Sequence, residues 1–211
     1  MKKVFASLLA LTLGALCAQS AVAATYNNSS YSSNSYNKPV APAPVAQTST
    51  AGSPDMVAAG LGDYDFDKGG DRNSADYRLE YQWGASLLPM IDHDWANLDN
   101  MFKLHPVAGL EGDGNGMTYF NGGLNLDVPV ISHIMFTWGE SVGLYGHGDD
   151  HQALGSPFEI RSQLELGWTF DNNMRLSAYL SHMSNLGVGD HDPGSETLGG
   201  YLRVPVSWLA R

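Results

Sequence analysis

The stretch FEIRSQLELGWTF, residues 158–170, decides the fold because its apolar and polar residues alternate almost without interruption. Successive side chains of a β-strand point to opposite faces, so a period of two indicates a strand with one apolar and one polar face. The apolar face carries Phe158, Ile160, Leu164, Leu166, Trp168 and Phe170. The polar face carries charges of both signs, in Glu159, Arg161 and Glu165. The stretch therefore predicts a strand whose polar face needs charged partners.

Seven further segments share this patterning, and turn-type sequences separate them. In chain order they are Met56–Phe66, Tyr77–Trp83, Leu104–Gly112, Tyr119–Val128, Ile134–His147, Leu176–Ser184 and Leu198–Trp208. The first of them is Gly- and Ala-rich and only weakly alternating, and the segment that begins at Ile134 is the next least regular. Together with residues 158–170 they predict eight β-strands.

Alternation alone does not separate a soluble β-sandwich from a membrane barrel, and aromatic residues at strand ends fit both. A sandwich exposes its polar faces to water, whereas a closed barrel can pair Glu159, Arg161, Glu165, Arg175 and Arg203 inside and turn its apolar faces to lipid. No apolar run beyond the N-terminal segment reaches the ~20 residues of a spanning helix. A membrane protein with this sequence must therefore be a barrel. We predict an all-β protein, an eight-stranded antiparallel transmembrane β-barrel.

The connections follow from the strand order if both termini lie in the periplasm. Outer loops are then predicted at Asp67–Ser74, Gly112–Gly116, Gly148–Pro157 and Leu186–Ser195. Asp171-Asn172-Asn173 becomes a short periplasmic turn. The connection from Gly84 to Lys103 is long for a periplasmic turn, so it is expected to hold a short helix or an added strand hairpin.

The N-terminal residues have the features of a secretory signal peptide. Lys2 and Lys3 precede an apolar run, and small residues end the segment at Ala23 or Ala24. An uncleaved membrane anchor is the alternative, but the run is too short to span. Residues 24–54 are rich in Ser, Asn, Tyr, Pro and Ala with almost no charge, which is typical of a disordered leader. The predicted division is signal peptide 1–23, leader 24–54 and barrel 55–211.

Charge and cysteine content exclude two classes of function. The formal net charge is −11, which argues against binding nucleic acid through its phosphates. The single cysteine, Cys17, lies within the predicted signal peptide. The mature chain therefore has no disulfide, no reactive thiol and no cysteine-based metal site.

The stretch LSAYLSHMSNLGVGDHDPGSE, residues 176–196, carries the candidate chemistry. Alternation places His182 and Ser184 on the otherwise apolar face of their strand, with Cα atoms roughly 6.5–7 Å apart. Glu196 begins the eighth strand on the same face as Leu198, and an adjacent antiparallel strand can bring it beside His182. A serine nucleophile, a histidine base and an orienting carboxylate suit acyl transfer. The alternative is that these are polar residues at the headgroup level, since His-x-Ser is common by chance.

The run His182-Met183-Ser184-Asn185, followed by Asp192-Pro193-Gly194-Ser195-Glu196, resembles the signature of outer-membrane lipid A deacylases of the PagL type, the acyloxyacyl hydrolase-like family. The resemblance covers most of residues 55–208, including 154–156 and 158–162, but not the leader. It implies an eight-stranded barrel of the bacterial outer membrane. It also implies hydrolysis of the ester-linked acyl chain at the 3 position of lipid A, the lipid anchor of lipopolysaccharide, without a metal or other cofactor.

The resemblance also implies residue roles. The family's catalytic histidine, serine and acid fall on His182, Ser184 and Glu196, and the asparagine after the nucleophile falls on Asn185. A second asparagine, associated with the oxyanion hole, is replaced here by Asp192. An ionised carboxylate cannot donate a hydrogen bond to an oxyanion, and loss of one such donor costs about 10²–10³ in turnover.

Several groups offer compensation for Asp192, namely Asn185, the backbone N–H of Gly187 or Gly189, or protonation of Asp192 itself. We therefore expect hydrolysis that is slow. The competing function is that of a non-catalytic barrel with a structural or adhesive role.

Two clusters of acidic residues, one of them with histidines, have side chains that could bind a metal, but neither matches a specific metal-binding motif. One is the run from His147 to His151, with Asp149 and Asp150 between them, and we expect it to be a solvated loop. The other is formed by Asp63, Asp65, Asp67 and Asp71, which lack the later glutamate of a calcium loop. His93, His105 and His133 have no motif context and are expected to be structural. No metal site is predicted.

Overall fold

The computed structural model describes residues 53–67, 73–91, 99, 101–148, 154–188 and 191–210. All of them belong to the unit formed by residues 49–211. The predicted signal peptide, and the predicted leader up to residue 52, lie outside these ranges. Asp71 and residues 149–151 of the candidate metal clusters also lie outside these ranges, as do His93 and the candidate oxyanion donor Gly189.

Segments in which apolar and polar residues alternate form the β-strands throughout the described part of the chain. The strands are β1 (Met56–Tyr64), β2 (Ser74–Gln82), β3 (Lys103–Asp113), β4 (Thr118–Ile131), β5 (Ile134–Gly146), β6 (Phe158–Thr169), β7 (Arg175–Ser184) and β8 (Ser195–Pro205). Each strand pairs with the next in sequence, and β8 pairs antiparallel with β1, which closes the barrel. The predicted eight-stranded antiparallel barrel is confirmed.

Two short helices lie at the end of the barrel where the strand pair β1–β8 carries the termini. Helix α1 (Leu88–Ile91) lies in the long β2–β3 connection, where a short helix or a hairpin was expected. Helix α2 (Val206–Leu209) follows β8 directly. The eighth strand was predicted to run to Trp208, which is wrong. Pro205, with φ −59°, has no N–H to continue the ladder, and the chain turns into α2 there.

The inward faces of the strands hold a network of paired charges. Burying a charge is costly unless it is paired and hydrogen-bonded, and most inward carboxylates meet a guanidinium. The pairs include Arg78–Glu111 at 3.0 Å, Arg161–Glu111 at 2.5 Å, Arg203–Glu80 at 2.7 Å, Arg203–Glu165 at 2.7 Å and Arg175–Asp127 at 3.0 Å. The prediction that the polar faces pair inside a closed barrel is confirmed for Arg161, Glu165, Arg175 and Arg203.

Glu159 differs from the other inward carboxylates. It is fully buried, yet neither carboxylate oxygen has a hydrogen-bond partner among the described residues. Its backbone carbonyl accepts a hydrogen bond from the Tyr119 hydroxyl at 3.0 Å.

The outward faces are mainly apolar. Large exposed side chains include Leu61, Leu79, Leu110, Phe120, Val142, Leu144, Leu166, Trp168, Leu176 and Leu202. An apolar exterior around a polar interior is the arrangement of a barrel that faces lipid. Among the described residues, no helix combines the length and apolar character needed to cross a membrane.

We call the end that carries the β1–β2, β3–β4, β5–β6 and β7–β8 connections the distal end, and the other the terminal end. A cluster of buried apolar and aromatic side chains fills the interior at the distal end: Tyr64, Met117, Tyr119, Tyr145, Leu154 and Met183. At the terminal end Asp55 precedes β1 and accepts hydrogen bonds from the Tyr81 hydroxyl (2.6 Å) and the Gly84 N–H (2.7 Å). These two bonds lower the pKa of the Asp55 carboxyl.

Candidate active site

Strand β7 presents His182 and Ser184 on the outside of the barrel near its distal end. Their inward neighbours Ser181 and Met183 are buried in the interior, so Met183 of the distal cluster fixes the backbone between the two outward residues. His182 lies opposite Ser162 of β6 on one side and Glu196 of β8 on the other. The outward placement of His182, Ser184 and Glu196 agrees with the prediction from alternation.

Glu196 contacts the imidazole of His182 directly. Its Oε1 lies 3.1 Å from Nδ1 of His182, and its side chain is almost wholly buried, with 8% exposed. An ionised carboxylate can only accept a hydrogen bond, so this pairing requires the proton on Nδ1 and leaves Nε2 as the basic nitrogen. The arrangement is that of a base oriented by an acid.

Ser184 is the last residue of β7 and shares the face of His182. Its side chain is mostly buried, with 8% of the residue exposed, although it lies on the outer surface of the barrel. It is opposite Ile160 of β6. The structure thus brings the three predicted catalytic residues to one patch of two neighbouring strands.

Gly194 closes the β7–β8 connection over the imidazole. It adopts the left-handed conformation with φ +66°, and a Cβ at this position would lie 2.9 Å from Cε1 of His182. Only glycine fits both constraints without displacement. The sequence signals a turn at Pro193-Gly194, but it does not reveal that this turn packs against His182.

The Asn185 side chain holds the connections at the distal end together. Its Nδ2 donates to the carbonyls of Leu154 (2.6 Å) and His191 (2.9 Å), and its Oδ1 accepts from the Gly187 N–H (2.8 Å). Both amide hydrogens of Asn185 and the N–H of Gly187 are therefore engaged within the loops. In this conformation they shape the rim of the site.

Asp192 lies next to the backbone that follows Ser184. Its Oδ1 accepts a long hydrogen bond, 3.4 Å, from the backbone N–H of Asn185. The carboxylate at the position of sequence divergence is therefore one residue from the candidate nucleophile.

A cluster of carboxylates surrounds Glu196. Asp65, Asp67 and Glu196 each bring an oxygen within 4.8 Å of the others. Three carboxylates at this spacing are able to hold a divalent cation, but exposed acidic groups are also common without one. Of the predicted Asp group, Asp65 and Asp67 belong to this cluster. The sequence could not show their proximity to Glu196, which depends on the pairing of β1 with β8.

Comparison with known proteins gives a family match. The family model described as Lipid A 3-O-deacylase (PagL) matches residues 58–205. This range runs from the third residue of β1 to the last residue of β8. A search of curated proteins finds no match.

Solved structures of similar fold include an outer-membrane enzyme, PagL. The crystal structure of PagL superimposes with a TM-score of 0.52 at 19% identity, covering 71% of this chain and 99% of that chain. A de novo designed transmembrane β-barrel gives a TM-score of 0.46 at 10% identity, covering 73% and 98% of the two chains. Neisserial surface protein A gives 0.42 at 12% identity, covering 72% and 95%.

Proposed function

The chain belongs to the PagL family of lipid A 3-O-deacylases, and from this premise we propose that it hydrolyses the ester at the 3 position of lipid A with Ser184, His182 and Glu196. The observation that carries the proposal is the 3.1 Å contact between Glu196 and His182 on the outer face of the barrel, beside Ser184. These three polar residues lie on a strand face that is otherwise apolar. They have the roles that ester hydrolysis needs.

The reaction follows the order of acyl transfer. Nε2 of His182 takes the proton of the Ser184 hydroxyl as its oxygen attacks the ester carbonyl carbon. The tetrahedral intermediate then expels the sugar hydroxyl, which receives that proton from His182, and the acyl group remains on Ser184. Water, deprotonated by the same nitrogen, releases the fatty acid and restores the serine.

Negative charge around Glu196 favours the protonated imidazole that forms in both steps. Glu196 contacts Nδ1 directly, and Asp65 and Asp67 lie within 4.8 Å of its carboxylate. Nearby carboxylates stabilise an imidazolium by their negative charge. The cluster therefore supports proton transfer through His182.

Stabilisation of the oxyanion is the weaker part of the site. The side chain of Asn185 and the N–H of Gly187 are engaged in loop contacts. The backbone N–H of Asn185, directly after the nucleophile, is the best placed donor because its bond to Asp192 is long, 3.4 Å. An oxyanion would compete with the Asp192 carboxylate for this donor. We infer that hydrolysis is slow for this reason.

The site lies where its substrate is found. The outward face of the barrel contacts the hydrocarbon of a membrane, and with the termini in the periplasm the distal end lies in the outer leaflet. A lipid ester at the base of a headgroup meets Ser184 at this level. Residues 1–23 as a cleaved signal peptide and 24–54 as a leader are part of this proposal, because export to the outer membrane requires a signal.

Mass spectrometry of lipid A tests the proposed function. The full chain is expressed in a bacterium that lacks its own 3-O-deacylase, and lipid A is expected to lose one ester-linked acyl chain. Ser184→Ala should abolish this loss. Ser181→Ala is the matched control, since Ser181 points inward on the same strand and accepts a hydrogen bond from Arg78. Unchanged acylation with a folded barrel in the membrane would support the non-catalytic, structural or adhesive alternative.

A further inference from the structure

Glu140 places a carboxylate on the outer face of the barrel, on a different strand from Glu196. It is the seventh of the thirteen residues of β5, midway between the two ends of that strand. Its neighbours on the same face are apolar or aromatic, namely Phe136, Trp138, Val142 and Leu144. Ionisable groups at such a depth are costly and usually functional.

Glu140 is held in place by two neutral donors. The indole Nε1–H of Trp138 donates to Oε1 and the hydroxyl of Ser162 donates to Oε2, both at 2.8 Å. No Lys, Arg or His in the described ranges forms an ion pair with it. A carboxylate offers about four acceptor positions, so two donors leave it able to accept further hydrogen bonds.

Strand register connects Glu140 to the active site. Glu140 lies opposite Ser162, Ser162 lies opposite His182, and His182 lies opposite Glu196. We call these four residues, on four consecutive strands, the polar strip. With strands ~4.8 Å apart, Glu140 is roughly 10 Å from His182 across the surface.

The strip descends toward the middle of the barrel. His182 is two residues from the distal end of β7, whereas Glu140 is six residues from the distal end of β5. A lipid whose ester reaches Ser184 would therefore lay its acyl chains beside Glu140. Along its hydrocarbon part, an acyl chain can donate a hydrogen bond only through a hydroxyl group that it carries.

We propose that Glu140, supported by Trp138 and Ser162, is a subsite that accepts a hydrogen bond from the hydroxyl group of a hydroxylated acyl chain. This inference rests on the proposed function, since it takes the lipid to be the one cleaved at Ser184. The subsite sets the position of the lipid on the barrel surface. It selects hydroxylated lipids over lipids with plain acyl chains.

Two synthetic lipids test the subsite directly. Both are diacylated glucosamines, and they differ only in whether the acyl chains carry a β-hydroxyl group. The protein should cleave the hydroxylated lipid with a kcat/KM about 10–100-fold higher, the range expected for a hydrogen bond to a charged acceptor. Glu140→Leu should remove this preference by lowering kcat/KM for the hydroxylated lipid only.

Control variants distinguish loss of the subsite from misfolding and from damage to the triad. Leu110→Ala changes an exposed outward residue on β3, on the opposite side of the barrel, and should keep the preference. If Glu140→Leu does not fold, as judged by heat-modifiable mobility, Trp138→Phe and Ser162→Ala each remove one supporting donor and should weaken the preference.

Binding to the Ser184→Ala variant gives a reading that does not depend on hydrolysis. In detergent, this variant should retain the hydroxylated lipid more tightly than the plain one, and the added Glu140→Leu change should equalise the two. Absence of hydrolysis with such a binding preference would defeat the proposed function and leave the subsite standing. Equal handling of both lipids by the parent protein, or an equal loss for both in Glu140→Leu, would overturn the subsite.

Discussion

The inside of the barrel and the polar strip on its outside both contain carboxylates, but the hydrogen-bond partners of these carboxylates differ. Inside, Glu80, Glu111 and Glu165 each meet an arginine within 3.0 Å. Outside, Glu140 and Glu196 are held by Trp, Ser or His side chains. Guanidinium partners neutralise a carboxylate permanently, whereas a histidine can gain and lose its proton.

This difference separates residues that close the barrel from residues that can do chemistry. The interior pairs join strands that are distant in sequence, such as Arg203 of β8 and Glu80 of β2. Their removal should affect the stability of the barrel. Outside, Glu140 pairs with Ser162 and Glu196 with His182, each across neighbouring strands on a face that would otherwise contact lipid. Removal of these residues should affect turnover.

The largest expected effect is on the outside. In the proposed mechanism, Glu196→Gln removes the charge that stabilises the protonated His182 and allows the amide to hold the wrong tautomer. Turnover of an ester substrate should fall about 10³–10⁴-fold, while the heat-modifiable mobility of the barrel stays unchanged. A variant that keeps most of its turnover would show that Glu196 has no orienting role.

The matched change inside is Glu165→Gln. Glu165 accepts hydrogen bonds from Arg203 and from the Ser177 hydroxyl, so the substitution leaves a buried guanidinium with one partner fewer. Urea unfolding should show a loss of about 3 kcal/mol, the lower end of the cost of breaking a buried ion pair. Turnover per folded molecule should be unchanged. A fall in turnover without a loss of stability would contradict the separation of the two regions.

The sequence predicted the fold and the outward residues well because both depend on a period of two. Alternation alone places Arg203 inside and His182 outside, and antiparallel neighbours in sequence order then follow. The end of β8 was misjudged because Val206 and Trp208 continue the alternation although Pro205 ends the ladder. Local pattern cannot report such a backbone change.

The parts of the site that could not be predicted depend on contacts between loops or on register. Asn185 bridges two connections by bonding to Leu154 and His191, and nothing in the local sequence specifies those carbonyls. The polar strip requires the register of three strand pairs at once. Glu140 also lies in one of the less regular segments, so its alignment with His182 could not be read from the pattern.

A smaller effect is expected where the distal loop packs on the site. Gly194→Ala places a methyl group 2.9 Å from Cε1 of His182 at a φ of +66°, so the loop or the imidazole must move. A left-handed conformation costs a non-glycine residue about 1–2 kcal/mol. If displacement of His182 relieves this strain, turnover should fall about tenfold.

Gly116→Ala is the control for Gly194→Ala. Gly116 also has a positive φ, +95°, but a Cβ there would meet its nearest neighbour at an ordinary 3.5 Å. It should cost stability without lowering turnover per folded molecule. If both variants lose turnover equally, backbone strain alone accounts for the effect and the contact with His182 does not.

The smallest expected effect tests Asp192. Asp192→Asn removes a negative charge from the loop that follows Ser184 and provides an amide that can donate to the oxyanion. Turnover should stay the same or rise about threefold, since a partly solvated charge at this range contributes only a fraction of a kcal/mol to 1 kcal/mol. Asp171→Asn, in the exposed β6–β7 turn at the terminal end, removes the same charge far from the site and should change nothing. If Asp192→Asn instead abolishes turnover, an amide at this position does not support the oxyanion and the charge of Asp192 is needed. The outer site would then resemble the barrel interior, where carboxylates stabilise the structure.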